Sequence, residues 1–256
     1  MTTVLTPTAR TTPRRPAIDR ATAKQLMATE YERVVEQLRE LSDDDWSAPT
    51  CNTGWDVRAL AAHMLGMVAM AASVPEQLRQ MLTARRRGGV FIDALTALQV
   101  EKYDGWSPQQ IVDEYARLAP KAVKGRTRMP RLLRGRPMPE KQPIEGPDVL
   151  EAWTFAYLVD VILTRDPWLH RSDIALATGR PQTLTADHDG VIVDDAVREW
   201  AARHGQPCML TLTGPIGREY VFGAEGPAYT LDAVEFCRIL SGRGSGDGLL
   251  AQPVPF

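Results

Sequence analysis

Residues 46–63 read WSAPTCNTGWDVRALAAH, and the change of pattern inside that stretch sets the reading of the N-terminal part of the chain. Up to Gly54 it is loop, with Pro49, Asn52 and Gly54 as breakers and Trp46 and Trp55 at either side. From about Asp56 to Ser73 the spacing is helical. Val57, Leu60, Ala61, Met64 and Val68 recur at steps of three and four, the stripe of one helix face. His63 sits beside that stripe, in line with Leu60 and Met67. Residues 59–75 carry no Asp, Glu, Lys or Arg. That run is too short for a comfortable membrane span and includes His63, Gly66 and Ser73, so it reads as a buried helix.

Working outward, Met27, Tyr31, Val34, Leu38 and Leu41 predict a helix over Asp19–Leu41, capped by Asp19 or Thr22. Pro75 ends the His63 helix or starts a short extra one reaching the Arg85–Gly89 break. A helical segment follows over Val90–Tyr103. Ser107-Pro108 signals a fresh N-cap, and a helix to Lys124 carries Ile111, Tyr115, Leu118 and Ala119 on one side. Met129–Pro147 is a long connection rich in Pro, Arg and Gly. The next helix is expected from Asp148 to Thr178, with Trp153, Tyr157, Ile162, Asp166, Leu169 and His170. Pro167 should kink it, because it cannot donate to the Leu163 carbonyl. Gly179-Arg180-Pro181 closes it.

Beyond that point the pattern changes. A helix over Gly190–His204 precedes short strands at Cys208–Thr213, Glu219–Phe222 and Ala228–Leu231. A short helix at Asp232–Ser241 and a glycine-rich loop at Gly242–Gly248 follow. The expected fold is mainly α: a four-helix bundle over 19–180, then a small α/β domain over 181–256. A tail over 1–18, rich in Thr, Pro and Arg, is expected to be disordered and lacks the apolar core of a signal peptide.

With 256 residues, 44% hydrophobic and 24% charged, the chain can bury a sizeable core, so a metal is not needed merely to fold. The net charge of −2 argues against a nucleic-acid partner. The arginine clusters at 85–87 and 126–136 read as solvated loops. Cys51, Cys208 and Cys237 are odd in number and widely spaced, which argues against a disulfide framework and fits a reducing cytoplasm. Nothing near Cys51 in sequence would lower its pKa, so no cysteine nucleophile is expected.

Asp166 and His170 are four apart on a helix and therefore neighbours on one face. That spacing lets both bind one ion, and His63, mid-helix among apolar residues, is the best third donor. Two histidines and one carboxylate leave coordination positions open, a catalytic pattern. The same residues also fit a hydrogen-bonded core histidine and a local Asp–His pair.

Residues 46–63 resemble the opening signature of the maleylpyruvate isomerase family of mycothiol-dependent enzymes: a Trp, a short loop, Gly-Trp, then Val, Leu and His on one helix. Residues 165–174, RDPWLHRSDI, resemble that family's second motif, a carboxylate and a His four apart followed by Arg and then Asp. With the helices between them the resemblance spans about Asp19 to Thr178. It implies a DinB-like bundle with one divalent metal, usually zinc, held by His63, Asp166 and His170. It also implies mycothiol, a sugar-linked cysteine thiol, as cofactor or cosubstrate. The chain departs from the family pattern at Asp166, where Glu is usual, and at Arg165, where His is usual.

Asp173, three residues past His170, either orients that ring's other nitrogen as a supporting carboxylate or pairs with Arg171 or Arg180. Residues 231–243, LDAVEFCRILSGR, resemble the small sterol-carrier-like domain that follows the bundle in the same family. There an arginine facing the cleft binds substrate carboxylate, and Arg243 or Arg238 matches it. The competing reading is an arginine at a helix C-terminus meeting exposed carbonyls. The function implied is a metal-dependent enzyme using a small thiol for cis–trans isomerisation or thiol transfer, with no membrane partner, as monomer or homodimer. The alternatives are a non-catalytic metal- or hydrophobic-ligand-binding protein with a degenerate site, and an oligomerising bundle.

Overall fold

The computed structural model describes residues 12–144 and 149–256. Helix α1 (Arg20–Arg39) starts where the Asp19 carboxylate accepts from the amides of Ala21 and Thr22. Asp56 likewise caps α2 (Val57–Ala72) through the amide of Ala59. The segment after Pro75 is a full helix, α3 (Val74–Arg87), which pairs with α4 (Phe91–Lys102). Ser107 and Gln110 form a reciprocal capping box at the start of α5 (Pro108–Thr127).

The long connection holds a single turn, α6 (Arg131–Arg134), and a short antiparallel pair, β1 (Gln142–Pro143) with β2 (Leu150–Glu151). Residues 145–147 of that connection lie outside the described residues, as does Asp148. The following helix therefore begins later than its periodicity predicts, at α7 (Phe155–Tyr157). Thr154 sets the start by accepting from the Tyr157 amide, while Trp153 and Thr154 are held extended by bridges to Arg14 and Pro137. A π turn over Leu158–Ile162 leads into α8 (Leu163–Thr178).

Helices α1, α2, α5 and α8 pack round one core that includes Val34, Leu60, Leu65, Ile111, Tyr115 and Ile174. The α2–α5 approach is close: a Cβ on Gly125 would fall 1.8 Å from the Ala71 carbonyl oxygen. Only glycine fits there.

Pro167 leaves the Leu163 carbonyl without its intrahelical donor, as expected. Arg126, on α5, supplies the replacement. Its Nη1 donates to Leu163 O at 2.9 Å, and its Nε donates to Val159 O inside the π turn at 3.1 Å. Thr164 Oγ1 at 2.7 Å and Tyr31 Oη at 3.0 Å complete its partners. This corrects the reading of 126–136 as a solvated cluster, because Arg126 and Arg134 are both buried. Arg134 is paired with the buried carboxylate of Asp160. Arg85–Arg87 are exposed, as read from sequence, but they form the last turn of α3 rather than a loop.

The small C-terminal unit follows the expected order: α9 (Asp189–His204), β3 (Cys208–Thr213), β4 (Arg218–Phe222), β5 (Ala228–Asp232) and α10 (Ala233–Leu240). Strand β3 lies between an antiparallel β4 and a parallel β5, with Leu210 opposite Tyr220 and Tyr229. Cys208, Leu210 and Leu212 alternate inward with period two and share a core with Trp200 and Phe236. Leu26 of α1 and Trp168 and Leu169 of α8 belong to that same core. The two units are thus packed into one body.

Residues 1–11 of the expected tail lie outside the described residues. From Arg14 the chain is anchored rather than loose. Its amide donates to Ala152 O at 2.8 Å, and its guanidinium pairs with buried Glu151 at 2.5 Å. Burying that charge requires the fixed partner, so the chain is held in place from Arg14, ahead of α1.

Candidate metal centre

Helices α2 and α8 bring the three sequence-predicted donors together. One ligand atom from each of His63, Asp166 and His170 lies within 4.8 Å of the other two. His170 Nε2 is 3.4 Å from Asp166 Oδ1, one helical turn away. The His63 and His170 rings meet edge to face at 5.4 Å. Both histidines are buried, whereas the Asp166 side chain keeps 28% of its surface exposed. The centre opens to solvent at Asp166.

Burial, opposed by Asp166, drives the His63 pKa down to about 4, so this ring is neutral at working pH. For His170 burial acts in the same direction, but the carboxylates of Asp166 and Asp173 outweigh it and raise the pKa to about 9. Burial would raise Asp166, yet His170, then His63 and Arg243, pull it down to about 2. The pair is thus an imidazolium facing a carboxylate, held at the distance where one cation could replace one proton. Two imidazole nitrogens and a carboxylate oxygen match the donor set of an open divalent site.

Asp173 gathers donors from three parts of the chain. His170 Nδ1 lies 3.1 Å from its Oδ2, Arg238 Nη1 3.1 Å from its Oδ1, and Arg243 Nε 2.9 Å from Oδ1. Cys51 Sγ donates to Oδ1 at 3.0 Å. Burial raises the Asp173 pKa, but His170 and Arg243 outweigh it and hold the carboxyl well below the usual range. Of the two roles weighed for Asp173, the contact with His170 is present. Its salt bridges run to the C-terminal unit, while Arg171 pairs with Glu30 and Arg180 with Asp45. Arg238 and Arg243 both stand beside the centre rather than capping carbonyls at a helix end. Burial, then the neighbouring Asp173 carboxylate, raises the Cys51 pKa.

Behind His63 lies a set of residues with no signal in the sequence. His63 Nδ1 is 2.7 Å from Gln99 Oε1, and Gln99 continues to Gln80. Both glutamines are fully buried, and the amphipathic pattern of α3 and α4 does not distinguish them from surface amides. Trp55 contacts the His63 ring at 5.3 Å. It also walls a cavity of about 450 Å³ lined by Thr50, Arg58, Ala59, Tyr103 and Asp104. That cavity adjoins the centre through Trp55 and not through the three donors themselves.

A second acid–histidine group, Glu30, His188 and Asp189, is equally compact and wholly buried. The Arg171 guanidinium already occupies it, with Nη1 3.1 Å from Glu30 and 3.4 Å from Asp189. Its positive charge is therefore in place, and the group ties α1, α8 and α9 together.

The model of the mycothiol maleylpyruvate isomerase N-terminal domain family matches residues 27–175, more than half of the chain. Among solved structures, a mycothiol-dependent maleylpyruvate isomerase is similar at 13% identity, covering 89% of this chain and 91% of that one, with a TM-score of 0.55. A histidine-to-alanine mutant of a mycothiol-dependent maleylpyruvate isomerase gives the same coverage and identity and a TM-score of 0.54. At that identity these two likenesses speak for the fold. A search of curated proteins gave no match.

Proposed function

Because the chain belongs to the mycothiol maleylpyruvate isomerase N-terminal domain family, we propose that it is a metal-dependent, mycothiol-using enzyme acting on a small molecule. The observation that carries the proposal is the convergence of His63, Asp166 and His170 from two helices within 4.8 Å. His63 through Nε2, Asp166 through its carboxylate and His170 through Nε2 would hold one divalent cation, and zinc suits that set best. Such a cation lowers the pKa of a thiol brought to it, so that the thiolate is present at neutral pH.

The chain's own residues prepare the site. Asp173 accepts from His170 Nδ1 and leaves Nε2 for the centre. Arg238 is buried and shared between Asp173 and Glu235, which commits it to holding the C-terminal unit. Arg243 turns Nε to Asp173 and keeps a fifth of its side chain exposed. The outer edge of its fork is the better placed of the two to receive a substrate carboxylate. With the centre loaded, a thiolate would be able to add to an activated double bond and leave again, giving cis–trans isomerisation. It can instead displace a leaving group, giving thiol transfer.

Titration of the cobalt-loaded protein with mycothiol tests this reading. A saturable thiolate-to-cobalt absorption band, absent in Asp166→Ala, is expected. No spectral response to thiol in the loaded wild type would contradict thiol use at this centre.

A further inference from the structure

The hydrogen-bond chain behind His63 has a direction, and its far end fixes it. Glu76 Oε1 receives Arg79 Nη2 at 2.7 Å, Lys102 Nζ at 2.8 Å and Gln80 Nε2 at 2.9 Å. A carboxylate surrounded by donors only accepts, and so does the Gly66 carbonyl, 3.1 Å from the same Gln80 nitrogen. The end of the Gln80 amide that faces them must be its NH₂. Its oxygen is thereby turned toward Gln99, whose Nε2 donates to it at 2.9 Å. The Gln99 oxygen then faces His63 Nδ1 at 2.7 Å. An amide oxygen can only accept, so Nδ1 must carry the hydrogen.

Gln80 and Gln99 are 0% and 1% exposed. Flipping either amide would set donor against donor or acceptor against acceptor, with no solvent to relieve it. The packing leaves one place for Gln99, because a Cβ on Gly66 would lie 2.4 Å from its Cγ. Its Nε2 also lies 3.2 Å from Met67 Sδ, a weak acceptor that suits an NH₂ at that end.

We propose that Gln99, oriented by Gln80 and Glu76, is a positioning residue that holds His63 as the Nδ1–H tautomer and presents the Nε2 lone pair to Asp166 and His170. The tautomer follows from the relay alone, while its use in gripping a divalent cation rests on the metal centre proposed above. The two histidines of the centre are thus set by different devices: a carboxylate behind His170 and a polarised amide chain behind His63. Two neutral amides stand between His63 and the Glu76 carboxylate, so the ring is oriented with no charge directly behind it.

Two-bond ¹H–¹⁵N correlation spectra of the metal-free, ¹⁵N-labelled protein, with the ring assigned by His63→Ala, read the tautomer directly. Wild type is expected to give a protonated Nδ1 and an unprotonated Nε2. Gln99→Met, close in volume and unable to accept, is expected to give a mixed or reversed tautomer and zinc affinity weaker by about 10- to 100-fold. Gln99→Glu, whose ionised carboxylate can only accept, is expected to restore protonated Nδ1. An Nε2-protonated ring in wild type overturns the proposal, as does a Gln99→Met protein with unchanged tautomer and affinity. If wild type shows the expected tautomer yet binds no zinc, the metal centre is refuted and the relay stands.

Discussion

His170 stands between two carboxylates, Asp166 at Nε2 and Asp173 at Nδ1, and in the metal-free protein its pKa is raised to about 9. A cation must displace that proton. Zinc affinity, measured against a competing chelator, is therefore expected to rise about tenfold per pH unit from pH 7 to about 9 and then level off. An affinity flat over that range would contradict the assignment of His170 as a ligand. The same shift has a stability consequence. The charged ring is favoured in the folded state, so its contribution is fully present below the unfolded value of about 6.5. It is lost as pH rises through about 9. At this scale the meeting of His63, Asp166 and His170 was legible, because an Asp and a His four apart on a helix must be neighbours and His63 stood in an apolar run. Gln99 was not legible, because nothing in its local sequence separates a buried amide from a solvated one. Asp173 read equally well as a salt bridge to a nearby arginine, because the arginines it does pair with lie 65 and 70 residues away.

At the scale of the element, Pro167 in α8 was visible as a break in the hydrogen-bond ladder, but what mends it was not. Arg126 comes from α5 and looked like one more surface arginine. Because the Leu163 carbonyl is served by Arg126, restoring the amide with Pro167→Ala should change stability by less than about 1 kcal/mol. Arg126→Met should cost about 3 kcal/mol or more, since it strands the carbonyls of Val159 and Leu163 and the hydroxyl of Thr164 together. Urea denaturation midpoints of the two variants make the comparison. An Arg126→Met protein as stable as wild type would show that the π turn is satisfied some other way. Gly66 offers a second case on α2. An added Cβ meets Gln99 at 2.4 Å, so Gly66→Ala should cost about 1–3 kcal/mol through overpacking and move the side chain that contacts His63.

Over the whole molecule, the order of elements could be read from periodicity, with the helical spacing of α9 giving way to the alternating strands β3 to β5. How tightly the two parts are joined could not, because Leu26, Trp168 and Leu169 each look like ordinary bundle core. In the fold they complete the core of the C-terminal unit, and Arg238 and Arg243 of that unit reach back to Asp173. Unfolding followed by tryptophan fluorescence and by far-ultraviolet circular dichroism should therefore give one coincident transition. Two separated transitions would contradict a shared core. The reading of the chain as a metalloenzyme rests on three side chains brought from α2 and α8 to one point. The most direct measurement is the metal content of the purified protein, by elemental mass spectrometry, beside a His63→Ala/His170→Ala double variant. About one equivalent of zinc or a similar divalent ion in wild type, lost in the variant, is expected. No metal in wild type after reconstitution, or the same content in both proteins, would contradict it.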